Sequence, residues 1–123
     1  MNKAVKLLII EDNESLLLLM NHYFQKQYDV YATKNGLDAM NCLSKGVFPD
    51  LILLDLDMPI MNGERFLEGI KTSSLFRDIP IILISGNSTQ ELQDKKLSVD
   101  HYFPKPFDPS ELNKKIQQAL FLA

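Results

Sequence analysis

Four short apolar runs, each ending abruptly in polar or charged residues, constrain the fold of this chain more than any other feature. Leu51-Ile52-Leu53-Leu54 ends at Asp55, Val5 to Ile10 ends in Glu11-Asp12, Ile79 to Ile84 ends in Ser85, and Tyr102-Phe103-Pro104 leads into Lys105. Runs so short and so apolar read as strands covered on both faces, as in a parallel sheet. In an open parallel sheet the strand C-termini line one edge, and ligands bind there. Three carboxylates, a hydroxyl and an ammonium would then meet at one place. That set suits a divalent cation together with a phosphoryl group on Asp55.

Strand and helix patterns alternate five times. The spacing predicts strands over Val5–Ile10, Tyr28–Ala32, Leu51–Asp55, Ile81–Ser85 and about His101–Phe103. The first helix starts near Asn13-Glu14-Ser15, with Leu16, Leu19, Met20, Tyr23 and Phe24 as its apolar face. The second runs about Leu37 to Ser44, between Asn35-Gly36 and Gly46. The third follows Asn62-Gly63 and carries Phe66, Leu67 and Ile70 on one side. A fourth, polar helix is expected over about Thr89–Leu97. The last has the clearest start: Asp108 as N-cap, Pro109 at the first position and Glu111 at the third. Leu112, Ile116, Ala119 and Leu120 form its stripe. Alternating strands and helices imply parallel pairing with right-handed crossovers, hence an α/β doubly wound five-stranded sheet.

The 123 residues suit one domain with one core, and because the last helix is expected to run nearly to Ala123, no second domain is expected,. A net charge of −3, with lysines single or paired, gives no basic face for nucleic acid,. Cys42, the single cysteine, cannot form an internal disulfide and reads as a small core residue,. No signal peptide or membrane-length apolar stretch is present in the sequence, so a cytoplasmic location is expected. His22 and His101 lack metal-motif spacing and read as surface or half-buried residues. Met58, Met61 and Phe107 read as loop packing.

Together, Glu11-Asp12, the segment Asp55-Leu56-Asp57-Met58-Pro59-Ile60-Met61-Asn62-Gly63, Ser85-Gly86 and Lys105-Pro106-Phe107 resemble a receiver domain of a two-component response regulator over the whole chain. The resemblance implies a flavodoxin-like (βα)5 fold with strand order 2-1-3-4-5, and a stand-alone, chemotaxis-regulator-like receiver spanning 1–123 without an output domain. It implies Asp55 as phosphoacceptor, and Mg2+ (with Mn2+ as substitute) held by Asp12 and Asp55, by Glu11 directly or through water, and by the Asp57 backbone carbonyl. Ser85 would hydrogen-bond the phosphoryl group and Lys105 would pair with its charge, with the Lys105-Pro106 peptide cis. Tyr102 matches the aromatic switch position beside Ser85, although it also fits an ordinary half-buried strand tyrosine.

The implied function is a phosphorylation-dependent switch. A sensor histidine kinase or histidine phosphotransfer protein would supply the phosphoryl group. The face built from the fourth helix, fifth strand and fifth helix would then change shape, to control a downstream protein or pass the phosphate on. The chain would assist its own phosphorylation and dephosphorylation but turn over no external substrate. It would be a monomer or weak dimer, with no direct nucleic-acid or membrane partner. The chemistry is coherent: clustered carboxylates repel an incoming phosphoryl group and raise one another's pKa, and a hard cation removes both problems.

Three departures from the family pattern stand out. Asp57 adds a carboxylate two residues after the acceptor, and Asn87 occupies the other position at which the family often tunes phosphoryl lifetime. The interval from Ser85 to Tyr102 is short, and Ser98 stands where a glycine often ends the fourth helix. Gly86 replaces a common alanine, leaving room for phosphate but loosening the loop. The consecutive Leu16 to Leu19 cannot all be buried on one helix face, so Leu17 or Leu18 is expected to be exposed, as an ordinary surface leucine or as a docking point for a kinase or phosphotransfer helix. The enzyme-class alternative is a haloacid-dehalogenase-like phosphatase, since Asp55-Leu56-Asp57 resembles its Asp-x-Asp pair. The order of motifs speaks against it.

Overall fold

The computed structural model describes residues 5–56, 63–86 and 101–122. The expected fourth helix (about Thr89–Leu97) and Asp57, Met58, Met61, Asn87 and Ser98 lie outside the described residues. Five strands form one parallel sheet in the order β2-β1-β3-β4-β5. They are β1 (Lys6–Ile10), β2 (Asp29–Thr33), β3 (Leu51–Asp55), β4 (Ile81–Ser85) and β5 (His101–Pro104). The described helices are α1 (Glu14–Phe24), α2 (Gly36–Ser44), α3 (Gly63–Lys71) and the C-terminal α4 (Pro109–Leu122). β3 and β4 lie where the sequence predicts them. β1 begins one residue later than expected, β2 is shifted one residue onward and β5 extends to Pro104.

Alternate residues of each strand face opposite sides of the sheet, and this divides the core in two. Leu8, Ile10, Ile52, Leu54, Ile81 and Leu83 pack under α2 and α3, against Ala39, Leu43, Phe66, Leu67 and Ile70. Leu7, Ile9, Leu51, Leu53, Ile82 and Ile84 pack under α1 and α4, against Met20, Phe24, Leu112, Ile116 and Ala119. The central strands β3 and β4 are buried at every position. With helices on both faces, no strand position in the middle of the sheet can be polar until the strand emerges at Asp55 or Ser85.

Caps set where the helices start. Asn13 extends before α1 and its Oδ1 accepts from Leu16 N at 2.9 Å. Asn35 does the same for α2, accepting from Asp38 N at 2.7 Å. Each cap satisfies a backbone donor that the first helical turn leaves unpaired. Asp108 caps α4 through Ser110 N and Ser110 Oγ, both at 2.9 Å. Glu111 does not reach back to the cap; it pairs with Lys114 at 3.3 Å. Past α2, Gly46 takes φ +99°, the left-handed conformation in which glycine carries no Cβ penalty,.

The α1 stripe differs from the expected one. Met20 and Phe24 are buried and both Leu16 and Leu17 pack partly against the core, but Leu19 (53% exposed) and Tyr23 (37%) face outward with Leu18 (69%). Four consecutive leucines carry no phase information. The side chains that reach the sheet are those clustered around Leu16, Leu17, Met20 and Phe24, which leaves Leu19 about a third of a turn away. Cys42 is half-buried against the core, as expected for a small packing residue.

Leu53→Ala, in the fully buried centre of β3, should lower unfolding free energy by about 2–5 kcal/mol in urea denaturation, through lost burial plus a residual cavity,.

Candidate functional site

The sheet brings Glu11, Asp12, Asp55, Ser85 and Lys105 to the C-terminal edge from four strands. Three hydrogen bonds extend the ladders one step beyond the strands and fix the exits. Glu11 N donates to Thr33 O at 3.0 Å, Leu56 N to Ile84 O at 3.1 Å, and Lys105 N to Ser85 O at 3.0 Å. The side chains thus leave from backbone that is still held by the sheet.

Glu11 and Asp55 are each 1% exposed and Ser85 is fully buried, whereas Asp12 is exposed. Ligand-type oxygens of Glu11, Asp12 and Asp55 lie within 4.8 Å of one another. Lys105 Nζ donates to Asp55 Oδ1 at 3.1 Å and stands 3.9 Å from Glu11 Oε1. The Lys105-Pro106 peptide is cis. Glu11 Oε2 accepts from Asn13 N at 3.2 Å, so the cap residue of α1 also orients this carboxyl. Glu11 Oε1 is buried without a hydrogen-bond donor among the described residues.

Buried carboxylates so close together cannot all ionise without a counter-charge. The strain falls on Glu11, whose carboxyl is pushed from its ordinary 4.5 up to about 8. Burial is the first cause, followed by the nearby Asp55 carboxylate; the Asn13 N–H and the Lys105 charge oppose the shift. An acceptor oxygen with no donor, facing two further carboxylates, fits a hard divalent cation. All donors are oxygens, and the exposed Asp12 leaves an open side for waters. Glu11, Asp12 and Asp55 are the residues that could hold it. The expected carbonyl ligand Asp57 lies outside the described residues.

Tyr102 lies on β5, half-buried against the α2/α3 side of the core, and its hydroxyl donates to Ser85 O at 3.3 Å. One peptide carbonyl, that of Ser85, therefore receives both the Lys105 N–H and the Tyr102 hydroxyl. Phe107 packs against the opposite core with its ring 6.3 Å from Phe103, in keeping with loop packing.

With this geometry in place, comparison with known proteins decides the family. The family model of the response regulator receiver domain matches residues 7–117. The chain belongs to that family. It is thus a receiver domain of two-component phosphorelay signalling, resembling chemotaxis and sporulation relay proteins. It is 30% identical over 118 residues to sporulation initiation phosphotransferase F of Bacillus subtilis, covering 94% of this chain and 93% of that protein. It is also 30% identical over 117 residues to the sensor histidine kinase TmoS of Ectopseudomonas mendocina, but there 94% of this chain covers only 12% of the kinase. The structure of Vibrio cholerae chemotaxis protein CheY4 superposes with a TM-score of 0.85 at 26% identity, covering 94% of this chain and 98% of that one. The receiver family replaces the phosphatase alternative: here an acidic pair immediately after β1 precedes the aspartate that ends β3. Among the described residues, no helix is long and apolar enough to cross a membrane.

Thr33 was not singled out from the sequence. Its role as acceptor for Glu11 N depends on strand pairing, which no local pattern reveals.

Two outcomes follow. Because the folded receiver keeps a Glu11 proton that the unfolded chain releases, the native state binds more protons between pH 4.5 and about 8,. In metal-free buffer this stabilising contribution is complete below pH 4.5 and lost as the pH rises through about 8. Urea denaturation across that window should show the decline, and Glu11→Gln should flatten it. Asn13→Ala should cost about 1 kcal/mol of unfolding free energy through loss of the α1 cap,.

Proposed function

We propose that this receiver accepts a phosphoryl group on Asp55 from a phosphohistidine donor, with Mg2+ (or Mn2+ in its place) held by Glu11, Asp12 and Asp55 and by the Asp57 carbonyl. The observation that carries the reading is the buried Asp55, hydrogen-bonded to Lys105 and converging with Glu11 and Asp12 at the sheet edge. The cation would neutralise the carboxylates and the arriving phosphoryl oxygens. An Asp55 oxygen attacks phosphorus, the O–P bond forms as the N–P bond breaks, and the electron pair of that bond leaves with the donor imidazole. Lys105 keeps Asp55 in place and then pairs with phosphoryl charge. Ser85 would donate to a phosphoryl oxygen. Catalysis is positioning and charge neutralisation. The chain would promote gain and loss of its own phosphoryl group without turning over an outside substrate.

Phosphorylation adds negative charge and strong acceptors beside Ser85. Movement of Ser85 toward them would disturb the carbonyl that Tyr102 and Lys105 share, and so carry the change into β5 and the face it forms with its neighbouring helices. This is a population shift, which requires the phosphoryl group to interact better with one arrangement than the other. The output is binding of a downstream protein or onward transfer to another histidine; the similarity to a sporulation phosphotransferase favours the latter as strongly as the chemotaxis likeness favours the former. Leu18 and Leu19, exposed on α1, would offer an apolar surface to a histidine kinase or phosphotransfer helix.

Intact mass after incubation with acetyl phosphate and Mg2+ should show one phosphoryl adduct, lost with Asp55→Asn or EDTA. No adduct with acetyl phosphate or with any of a panel of phosphohistidine proteins would refute the proposal. Leu18→Glu should slow transfer from a phosphohistidine protein about tenfold or more, the loss expected when a well-packed interface anchor is removed, and leave acetyl phosphate labelling unchanged.

A further inference from the structure

Thr33 is not one of the clustered carboxylates, yet it holds the segment that presents two of them. It is the last residue of β2 and lies in register with Ile10, the last residue of β1. Its hydroxyl donates to the Ile9 carbonyl at 2.8 Å, and its own carbonyl accepts the Glu11 N–H at 3.0 Å. The two bonds straddle Ile10, immediately before the Glu11-Asp12 pair. From there the restraint passes to the Glu11 side chain, whose Oε2 accepts from Asn13 N.

This contact matters because, among the described residues, β2 is an edge strand paired only with β1. Edge strand ends open more readily than central ones, since fewer contacts hold them. β1 and β3 each have a strand on both sides, but one neighbour of β1 is this edge strand, whereas both neighbours of β3, β1 and β4, lie inside the sheet. The weak side of the carboxylate cluster is therefore the β1 exit, and the side-chain bond that closes it belongs to Thr33. A shift of a few tenths of an ångström there moves Glu11 and Asp12 together relative to Asp55, and a hard divalent cation tolerates little error in ligand position.

We infer that Thr33 is a positioning residue for cation binding: its hydroxyl, bonded to Ile9 O, fixes the β1 exit so that Glu11 and Asp12 converge on Asp55. This rests on the Mg2+ site proposed above. It concerns a residue outside the site and requires no contact between Thr33 and the ion.

The test is calorimetric titration of Mg2+ into the wild-type chain and three variants, with urea denaturation of each. Thr33→Val keeps the branched shape and removes the hydroxyl; Thr33→Ser keeps the hydroxyl and removes the methyl; Thr33→Ala removes both and supplies a second hydroxyl-free protein should the valine variant fold poorly. The hydroxyl-free variants should bind Mg2+ roughly three- to tenfold more weakly, the worth of one neutral hydrogen bond. Thr33→Ser should stay close to wild type. A residue that merely supports the fold would lower urea stability and leave the Mg2+ affinity alone. Equal affinities in wild type and the hydroxyl-free variants overturn the inference, as does a serine variant as weak as the valine one. Failure of the wild-type chain itself to bind Mg2+ removes the cation site and this inference with it, an outcome distinct from equal binding by all four.

Discussion

Repulsion among carboxylates brought to one sheet edge is the constraint on which the rest of the structure depends. Glu11 and Asp55 are almost completely buried and, with Asp12, place their oxygens within 4.8 Å of one another. Left to themselves such groups separate into water. They stay because each is attached to a strand whose other residues are fixed in the core. A parallel sheet covered on both faces allows no strand to slide without exposing apolar side chains, so burial in β1, β3 and β4 holds the like charges together. Lys105 offsets part of this repulsion, and the proton held by Glu11 answers another part. The site is a place where a cation is electrostatically wanted before any ligand arrives.

The same edge also connects the site to the rest of the molecule. The Ser85 carbonyl takes hydrogen bonds from Lys105 N and Tyr102 OH, so the hydroxyl residue, the cation and the aromatic side chain meet at one peptide group. A change in charge at Asp55 therefore acts on backbone that β5 shares. The opposite side, where β2 is the edge, is held by Thr33 and by the Asn13 cap. On the proposed function the two sides would do different work, one placing the carboxylates and the other responding to phosphorylation.

Much of this could be read in the chain itself, for a physical reason. β3 and β4 are buried at every position, so their sequences are continuous apolar runs and their ends are marked by the first polar residue, Asp55 or Ser85. Those residues belong to the candidate site, which is why the strands and the candidate site were legible together. β2 was placed one residue off because an edge strand is only partly buried, and Asp29 to Thr33 has no sharp apolar boundary. The stripe of α1 was misjudged at Leu19 and Tyr23 because a run of four leucines has no period. Thr33 was invisible because its importance lies in which strand end it faces, and pairing is a property of the whole sheet. Glu111 looked like the back half of a capping box, but a lysine three residues on competes for it.

The most direct test of the central claim, that these carboxylates form one cation-demanding site, is a Mg2+ titration followed by 1H–15N NMR of the wild-type chain and of Asp12→Asn. The account predicts saturable shifts concentrated at the amides of Glu11, Asp12, Asn13, Leu56 and Lys105, and their loss or marked weakening in Asp12→Asn. Absence of shifts at those amides, or shifts there that Asp12→Asn leaves unchanged, would contradict it.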